Sequence, residues 1–226
     1  DCTVTPTTVD EVSALAAKYT AAALNLSSVS GVTATTSADA KENALAMRGV
    51  LRGSDLLVGY IYTSDSAAYL NPATAANYNY NLYIRRSSDG GATFGAAENV
   101  TNYAPSSKLT VREPRTVGAP GSGPTCSTDP TECQNGSAVY LAWGTQTDWW
   151  LPSGPKDVDI FVRASLDKGV TWTDTVAMST GNVVLGVDDS SEDSEAQLRL
   201  RPDGRRMFGV FNAQAPNVSD VFFRSA

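Results

Sequence analysis

The segment VREPRTVGAP, residues 111–120, places two arginines and a carboxylate within four positions: Arg112, Glu113 and Arg115. Arginine binds carboxylates through paired hydrogen bonds, and a pair of suitably spaced carboxyl groups carries out most glycoside hydrolysis. These three residues are therefore the candidates for a catalytic role. Arginines that alternate along a strand also lie on solvated sheet faces or pair with acids, and this second interpretation remains open.

An acidic run, GVDDSSEDSEAQ at residues 186–197, is the densest cluster of carboxylates in the sequence. Calcium prefers several oxygen ligands from a flexible loop of this kind, so the run is a candidate calcium site. Its spacing lacks the EF-hand pattern, and a solvated acidic loop is the competing interpretation. The candidate ligands are Asp188, Asp189, Glu192 and Asp193. No other cofactor is expected.

Two aromatic segments are candidates for binding. Trp149 and Trp150 are adjacent in TQTDWWLPSGPKD, while Tyr78 and Tyr80 belong to a tyrosine-rich loop at the corresponding place in the preceding repeat. Exposed aromatic rings suit stacking against a sugar or the centre of a protein interface. The alternative is that these rings cover the loop and the neighbouring sheet.

Composition excludes several kinds of chemistry. The chain has 226 residues and no histidine, so catalysis that depends on histidine and metal sites built from histidine are absent. The net charge of −7 disfavours nucleic acid as a partner. No apolar run approaches the ~18 residues that a membrane span needs. Abundant Thr, Ser, Asn and Ala with few lysines favour an exported bacterial protein, either secreted, periplasmic or on the cell surface.

The three cysteines predict at most one disulfide within the chain. Cys126 and Cys133 lie seven residues apart in a loop rich in Pro, Ser, Thr and Gly, where a local disulfide would be natural. Two free thiols are the alternative. Cys2 is then left over, either free or bonded to another chain.

The elements that must position these residues are mostly strands. Residues 8–24 predict one amphipathic helix, and residues 1–43 as a whole are interpreted as this helix and a linker. From residue 44 onward, short alternating apolar runs broken by turn residues predict antiparallel sheet. A hairpin, a polar loop and an outer strand recur three times, so residues 44–226 divide into repeats of about 44–104, 105–185 and 186–226.

The same turn follows the outer strand in the first two repeats. Serine, aspartate, glycine, threonine and an aromatic residue recur at the same offsets: Ser87, Asp89, Gly91, Thr93 and Phe94 in the first, and Ser165, Asp167, Gly169, Thr171 and Trp172 in the second. The polar side chains can bond the turn's own backbone, and glycine supplies angles that other residues avoid. The turn is therefore interpreted as a structural staple, with a carbohydrate or metal contact as the alternative.

This turn resembles the Asp-box, or BNR repeat, of sialidase-like β-propellers, and the repeats resemble the C-terminal part of bacterial exported sialidase-like proteins of unassigned function. The resemblance implies a mostly β fold of propeller blades. It also implies that a sialidase would use arginines to hold a carboxylate, although the family's arginine–isoleucine–proline triplet is absent. Three repeats are fewer than the ~4 blades that close a propeller. The remainder of a larger propeller, or a second chain, is therefore the expected partner.

These observations favour an exported, non-enzymatic propeller module that binds a protein partner or a glycan, or that forms a structural part of a surface assembly. The alternative is a sialidase or related glycoside hydrolase whose active site is completed by residues outside this chain. An enzyme would bring arginines and carboxyl groups together in a central pocket. A binding module would instead expose its aromatic loops.

Overall fold

The computed structural model describes residues 26–27, 43–63, 79–104, 107, 109–119, 136–146, 158–179, 192–215 and 218–225. Within these ranges the chain forms β-strands and no α-helix. The strands are β1 (Asn43–Arg52), β2 (Asp55–Thr63), β3 (Asn81–Ser87), β4 (Glu98–Asn99), β5 (Thr110–Gly118), β6 (Val139–Gln146), β7 (Val158–Ser165), β8 (Val176–Ala177), β9 (Glu192–Leu200), β10 (Met207–Ala215) and β11 (Val218–Ser225).

The predicted helix over residues 8–24 lies outside the described residues. Among those that are described, no helix is long and apolar enough to span a membrane.

The strands form three antiparallel units that follow one another along the chain. Unit 1 contains β1 to β4, unit 2 contains β5 to β8, and unit 3 contains β9 to β11. Within each unit, neighbours in sequence pair with each other, as the predicted order of hairpin and outer strand requires. Units 2 and 3 are joined by one parallel bridge between Val158 and Glu192. This nearly all-β arrangement is consistent with propeller blades.

Glycine residues sit where the hairpins reverse direction. Gly53 lies between β1 and β2 with a φ of 59°, and Gly204 lies between β9 and β10 with a φ of 70°. Only glycine adopts this left-handed region without a steric cost, so these two residues permit the tight turns. In the second turn, Asp203 pairs with the guanidinium of Arg201.

The core lies between the units rather than inside any one of them. One apolar cluster joins unit 1 to unit 2 and contains Leu57, Leu82 and Trp143. A second cluster joins unit 2 to unit 3 and contains Tyr140 and Phe211. Strand β6 is buried along its whole length because it contributes alternate residues to both clusters. The apolar run AVYLAWGT therefore fits a central strand with no solvated face.

The first strand of each unit, which we call the inner strand, carries a bulge at the same place. In β1, Ala46 and Met47 lie opposite the single residue Tyr60. In β5, Glu113 and Pro114 lie opposite Trp143. In β9, residues 195 and 196 lie opposite Phe211. A bulge bends its strand and redirects side chains. Each inner strand is therefore expected to bend in the same way, at the same position relative to the second strand of its unit.

Candidate functional site

The inner strands contact one another, β1 with β5 and β5 with β9. Beside their bulges lies an open cleft of about 560 Å³ that draws side chains from all three units. We call it the inner-strand cleft. Its polar and apolar lining includes Leu45, Arg48, Arg112, Glu113, Arg115 and Gln197. The three residues singled out from VREPRTVGAP therefore lie in one cleft, together with an arginine from β1.

The bulges explain why these side chains meet. Arg48 in β1, Arg115 in β5 and Gln197 in β9 each occupy the first paired position after the bulge of their strand. Because the three bends lie at equivalent places, the three side chains lie in the same cleft. Pro114 has no backbone N–H to offer a partner strand, so the bulge is also where a proline can be accommodated.

Within the described part of the chain, neighbouring groups use only a minority of the guanidinium donors in the cleft. Arg112 Nη1 donates to Gln146 Oε1 at 2.9 Å, and Arg48 Nη1 donates to the Met47 carbonyl at 2.7 Å. Arg115 donates to the carbonyls of Ala196 and Pro114, both at 3.2 Å. An arginine carries five donor hydrogens. Among the described residues, these contacts use one or two donors per arginine and leave the rest for an oxygen-rich ligand.

Glu113 is held in an unusual backbone conformation. Its φ is 46°, and Ala46 in the equivalent bulge of β1 has a φ of 52°. A residue with a side chain adopts this left-handed region at a cost of roughly 1–2 kcal/mol. Such strain persists only where the surrounding structure imposes it, and it concentrates at functional sites. The exposed carboxylate of Glu113 is thereby placed at the cleft beside the arginines.

The charges in the cleft favour the binding of a carboxylate. Three arginines and one glutamate give it a local excess of positive charge in a chain whose net charge is −7. Arginine pairs with carboxylates more specifically than lysine does, because its planar group can donate two parallel bonds. Catalysis of glycoside hydrolysis needs a second carboxyl group. Among the described residues that line the cleft, Glu113 alone carries one.

The two repeated turns have the same hydrogen bonds. Ser87 Oγ donates to Asp89 Oδ1 at 2.7 Å and accepts from the Gly91 amide at 2.8 Å; Ser165 makes the same two bonds with Asp167 and Gly169 at the same distances. Each aspartate in turn accepts bonds from the backbone amide and the hydroxyl of the threonine four residues later, Thr93 in the first turn and Thr171 in the second. The predicted staple is therefore formed in both turns by their own residues.

These bonds favour the ionised form of both aspartates. The Thr171 hydroxyl and amide, followed by the Ser165 hydroxyl, lower the pKa of Asp167 from its ordinary 3.8 to about 2. The corresponding bonds from Thr93 and Ser87 hold the pKa of Asp89 well below its usual range. Because each carboxylate oxygen already accepts bonds from its own turn, these carboxylates have a structural role that does not require a ligand.

The turn of unit 2 is also bonded to unit 1. Lys168 Nζ forms an ion pair with Asp55, and Arg86 Nη1 donates to the Gly169 carbonyl. A Cβ on Gly169 would lie only 3.2 Å from a methyl group of Leu57. The turn therefore ties its own sheet to the preceding one and lies against the apolar cluster between them.

Other residues predicted for binding lie elsewhere or outside the described ranges. Trp149, Trp150, Tyr78, Cys126 and Cys133 lie outside them, as do Asp188 and Asp189 of the acidic run. Tyr80 is buried in the apolar cluster between units 1 and 2, so its ring is not exposed for stacking.

The end of the acidic run is a strand rather than a loop. Glu192 and Asp193 begin β9, because this segment pairs with Asn212 to Gln214 of β10. The interpretation of residues 186–197 as one flexible loop is therefore corrected at residue 192. In the described part of the chain, no group of three or more acidic, histidine or cysteine residues is arranged to hold a metal ion.

Sequence reasoning missed Arg48 and Gln197 as members of the cleft. Both could have been found by aligning the inner strands on the two-residue insertions, since LAMR, REPR and SEAQ occupy equivalent positions. The signal is weak in the sequence because only the last residue of each segment is polar in all three strands.

Comparisons with known proteins yield structural similarities only. No protein-family model matches this chain, and no curated protein sequence matches it. Among solved structures, it is similar to a Penicillium chrysogenum alpha-L-arabinanase complexed with arabinobiose, with 11% identity and a TM-score of 0.42 over 82% of this chain. It is also similar to a glycoside hydrolase, with 12% identity and a TM-score of 0.28 over 83% of this chain and 72% of that one. The chain spans 46% of the length of the arabinanase.

Proposed function

We propose that this chain is a part of an exported, non-enzymatic propeller protein that binds a glycan through a carboxylate group. The observation that carries the proposal is the convergence of Arg48, Arg112 and Arg115 in the inner-strand cleft. Their remaining donors fit the oxygens of a carboxylate, and the cleft that they line is open rather than enclosed. A neutral sugar would leave this excess of positive charge without a partner.

The two identical turns support the propeller part of this proposal. We propose that they are Asp-boxes of a sialidase-like propeller, and the same bonds made by serine, aspartate and threonine in both units support this proposal. Placement outside the cytoplasm belongs to the same proposal and rests on the composition of the sequence.

The test is a binding titration that compares acidic sugars with their uncharged counterparts. Calorimetry would use N-acetylneuraminic acid and its methyl ester, and glucuronic acid and glucose. We expect the acids to bind more tightly, and to bind more weakly as salt is raised, because salt screens exposed charges. Arg48→Ala and Arg112→Lys should each weaken binding of the acid. Arg206→Ala, which removes an exposed arginine outside the cleft, should leave it unchanged.

Equal affinity for the acid and its ester would contradict the proposal. So would a cleft variant that binds the acid as well as the original chain does. Because Arg112→Lys keeps the charge and removes the planar group, it separates recognition by paired hydrogen bonds from simple attraction.

A second candidate function is glycoside hydrolysis, and the specific observation that favours it is the strained, exposed Glu113 beside the arginines. In this case the second carboxyl group comes from residues other than those described in the cleft. Release of a fluorescent leaving group from an aryl glycoside of the acidic sugar that binds would test it. Activity that disappears in Glu113→Gln, with binding retained, would favour the enzyme over the binding module.

A further inference from the structure

A second pocket lies between units 1 and 2, and it shares no lining residue with the inner-strand cleft. Its volume is about 400 Å³, and we call it the inter-unit pocket. Sites for small molecules are usually lined by apolar and aromatic side chains with a few polar groups that fix the orientation of the ligand. The inter-unit pocket has this composition, and its lining includes the rings of Tyr103, Trp143 and Phe161 and the polar side chains of Thr145 and Asp159.

Strands β6 and β7 place four of these side chains side by side. Trp143 pairs with Phe161, and Thr145 pairs with Asp159 two positions further along. Because alternate residues of a strand point to the same face of a sheet, all four lie on the side of unit 2 that meets unit 1. Trp143 is buried and stacks on Phe161 with ring centroids 6.3 Å apart. Phe161 is only partly buried, so part of its ring is open to the pocket.

The wall contributed by unit 1 is held in place by a buried asparagine. The backbone N–H of Tyr103 donates to Asn81 Oδ1, and the Tyr103 carbonyl accepts from Asn81 Nδ2 at 3.2 Å. Asn81 is itself buried and donates to Asn79 Oδ1 at 2.8 Å. The partly buried ring of Tyr103 is therefore positioned before any ligand arrives. A site that is already ordered loses less conformational freedom when it binds.

A short chain of hydrogen bonds in the pocket has one hydrogen more than it uses. Trp143 Nε1 donates to the Tyr103 hydroxyl at 3.4 Å, and that hydroxyl lies 2.7 Å from Thr145 Oγ1. The three groups carry three hydrogens, and the two contacts use two of them. In whichever direction the tyrosine–threonine bond runs, one hydroxyl hydrogen has no acceptor among the described residues. A ligand oxygen in the pocket can accept this bond, which is costly to leave unmade at a buried side chain such as Thr145.

Unit 3 shows that the packing of the sheets does not require this hydroxyl chain. The stacked aromatic pair recurs there as Phe211, opposite the bulge, and Phe222, with ring centroids 5.9 Å apart. By the same register, Ala213 occupies the position of Thr145 and is fully buried. The aromatic pair is therefore a recurring packing element, whereas an apolar residue also serves at the position of the threonine.

We propose that the inter-unit pocket binds one uncharged sugar ring. The C–H face of the sugar packs against the open parts of Phe161 and Tyr103, which present apolar surface. One sugar oxygen accepts the unused hydroxyl hydrogen, and a sugar hydroxyl donates to the Asp159 carboxylate. Among the described lining residues Asp159 alone is charged, so this pocket disfavours an acid, in contrast to the cleft. The proposal does not depend on the ligand of the inner-strand cleft.

Saturation-transfer NMR tests the proposal with methyl β-glucopyranoside, methyl β-galactopyranoside and methyl α-mannopyranoside. We expect at least one of them to bind in the millimolar range, as the small size of one sugar ring allows. Added salt should not weaken this binding, because the probes carry no charge to screen. Phe161→Leu removes the flat ring and keeps an apolar side chain, and Asp159→Asn removes the charge of the acceptor. Each should weaken binding several-fold.

Asp174→Asn provides the matched control. It makes the same change as Asp159→Asn at an exposed carboxylate that does not line the pocket, so it should leave binding unchanged. Circular dichroism should report the same β-sheet content in all variants, so that a loss of binding reflects the pocket rather than unfolding. An excess of N-acetylneuraminic acid should not displace the neutral glycoside, because the acid is expected in the cleft.

The absence of binding by all three glycosides would overturn the proposal. So would binding that both pocket variants leave intact, or that Asp174→Asn weakens as much as Asp159→Asn does. Displacement of the neutral glycoside by the acid would place both in one site and would overturn it as well. A chain that binds a neutral glycoside in this pocket and fails to prefer acids over their esters would contradict only the function proposed for the cleft.

Discussion

The Thr171 hydroxyl lies 2.6 Å from Asp167 Oδ2, and the Thr171 amide nitrogen lies 2.8 Å from Asp167 Oδ1. Thr171 therefore donates one hydrogen bond to each oxygen of the Asp167 carboxylate, and each bond closes a ring within the turn. Thr93 and Asp89 form the same pair of contacts in unit 1. Because these bonds are stronger to the ionised carboxylate than to the protonated acid, the turn couples folding to pH.

The first prediction concerns acid stability. The pKa of Asp167 is about 2 in the folded chain and 3.8 ordinarily. Its contribution to stability is therefore present above a pH of about 4 and is lost as the pH falls towards 2. Asp167→Asn should lower the urea midpoint at pH 7, and the difference from the original chain should shrink between these two values. Asp174→Asn, at an exposed carboxylate outside the hydrogen-bonded ring of the turn, is the control. A pH-independent difference would contradict this role of the charge.

The second prediction compares two glycines that both have positive φ. Gly169 has a φ of 81°, and an added Cβ would lie 3.1 Å from the Trp172 ring and 3.2 Å from Leu57. Gly90 has a φ of 74° and nothing within 4 Å. Gly90→Ala should cost roughly 1 kcal/mol of unfolding free energy from backbone strain alone, and Gly169→Ala clearly more. Lys168 occupies the position equivalent to Gly90 at a φ of 64°, so a side chain is tolerated there. Equal costs in urea unfolding would mean that the contacts of Gly169 are unimportant.

The third prediction applies one substitution to two valines. Val162 is buried between units 2 and 3, and Val221 is exposed on unit 3. Val162→Ala should lower the unfolding free energy by about 2 kcal/mol, from lost transfer energy and a residual cavity. Val221→Ala should change it by no more than about 0.5 kcal/mol, because this residue is 75% exposed. A large cost at Val221 would contradict this assignment of the side chain to an exposed surface.

The fourth prediction tests the equivalence of the three bulges and rests on the proposed binding of a carboxylate. Gln197 occupies the position that Arg48 and Arg115 occupy in the other two units. Gln197→Arg should tighten the binding of an acidic sugar several-fold, and Gln197→Glu should weaken it by a similar factor. Calorimetry at low and at physiological salt would measure both. If the two variants bind equally well, position 197 does not face the ligand.

The strands and their turns could be predicted from the sequence, because the signals are local. Alternation in NLYIRRS and VDIFVRAS identified β3 and β7, and the Pro202-Asp203-Gly204 turn identified the hairpin of unit 3. The internal bonds of the repeated turn were also predictable, since serine, aspartate and threonine lie within a few residues of one another. In each case the relevant partners are close in the chain.

The inner-strand cleft could be predicted only in part. Arg112, Glu113 and Arg115 stand together in the sequence, but Arg48 and Gln197 come from strands more than sixty residues away. Their convergence depends on bulges, and a bulge is set by the register of two strands rather than by a residue type. The start of β9 was missed for a related reason. Its acidic side chains resemble a loop, and pairing with β10 decides otherwise.

The ties between units have a consequence for how such a chain can grow or shorten. Asp55 and Leu57 belong to unit 1, yet they hold the turn that closes unit 2. The sequence repeat therefore does not coincide with the set of residues that pack together, because each contact region between two units, which we call a junction, takes residues from both repeats. A genetic duplication or deletion with its ends at the repeat boundaries would copy or remove half of each junction. A duplication or deletion that preserves folding should instead copy or remove both sides of a junction together. Its breakpoints should therefore lie inside a repeat rather than at the boundary between two repeats.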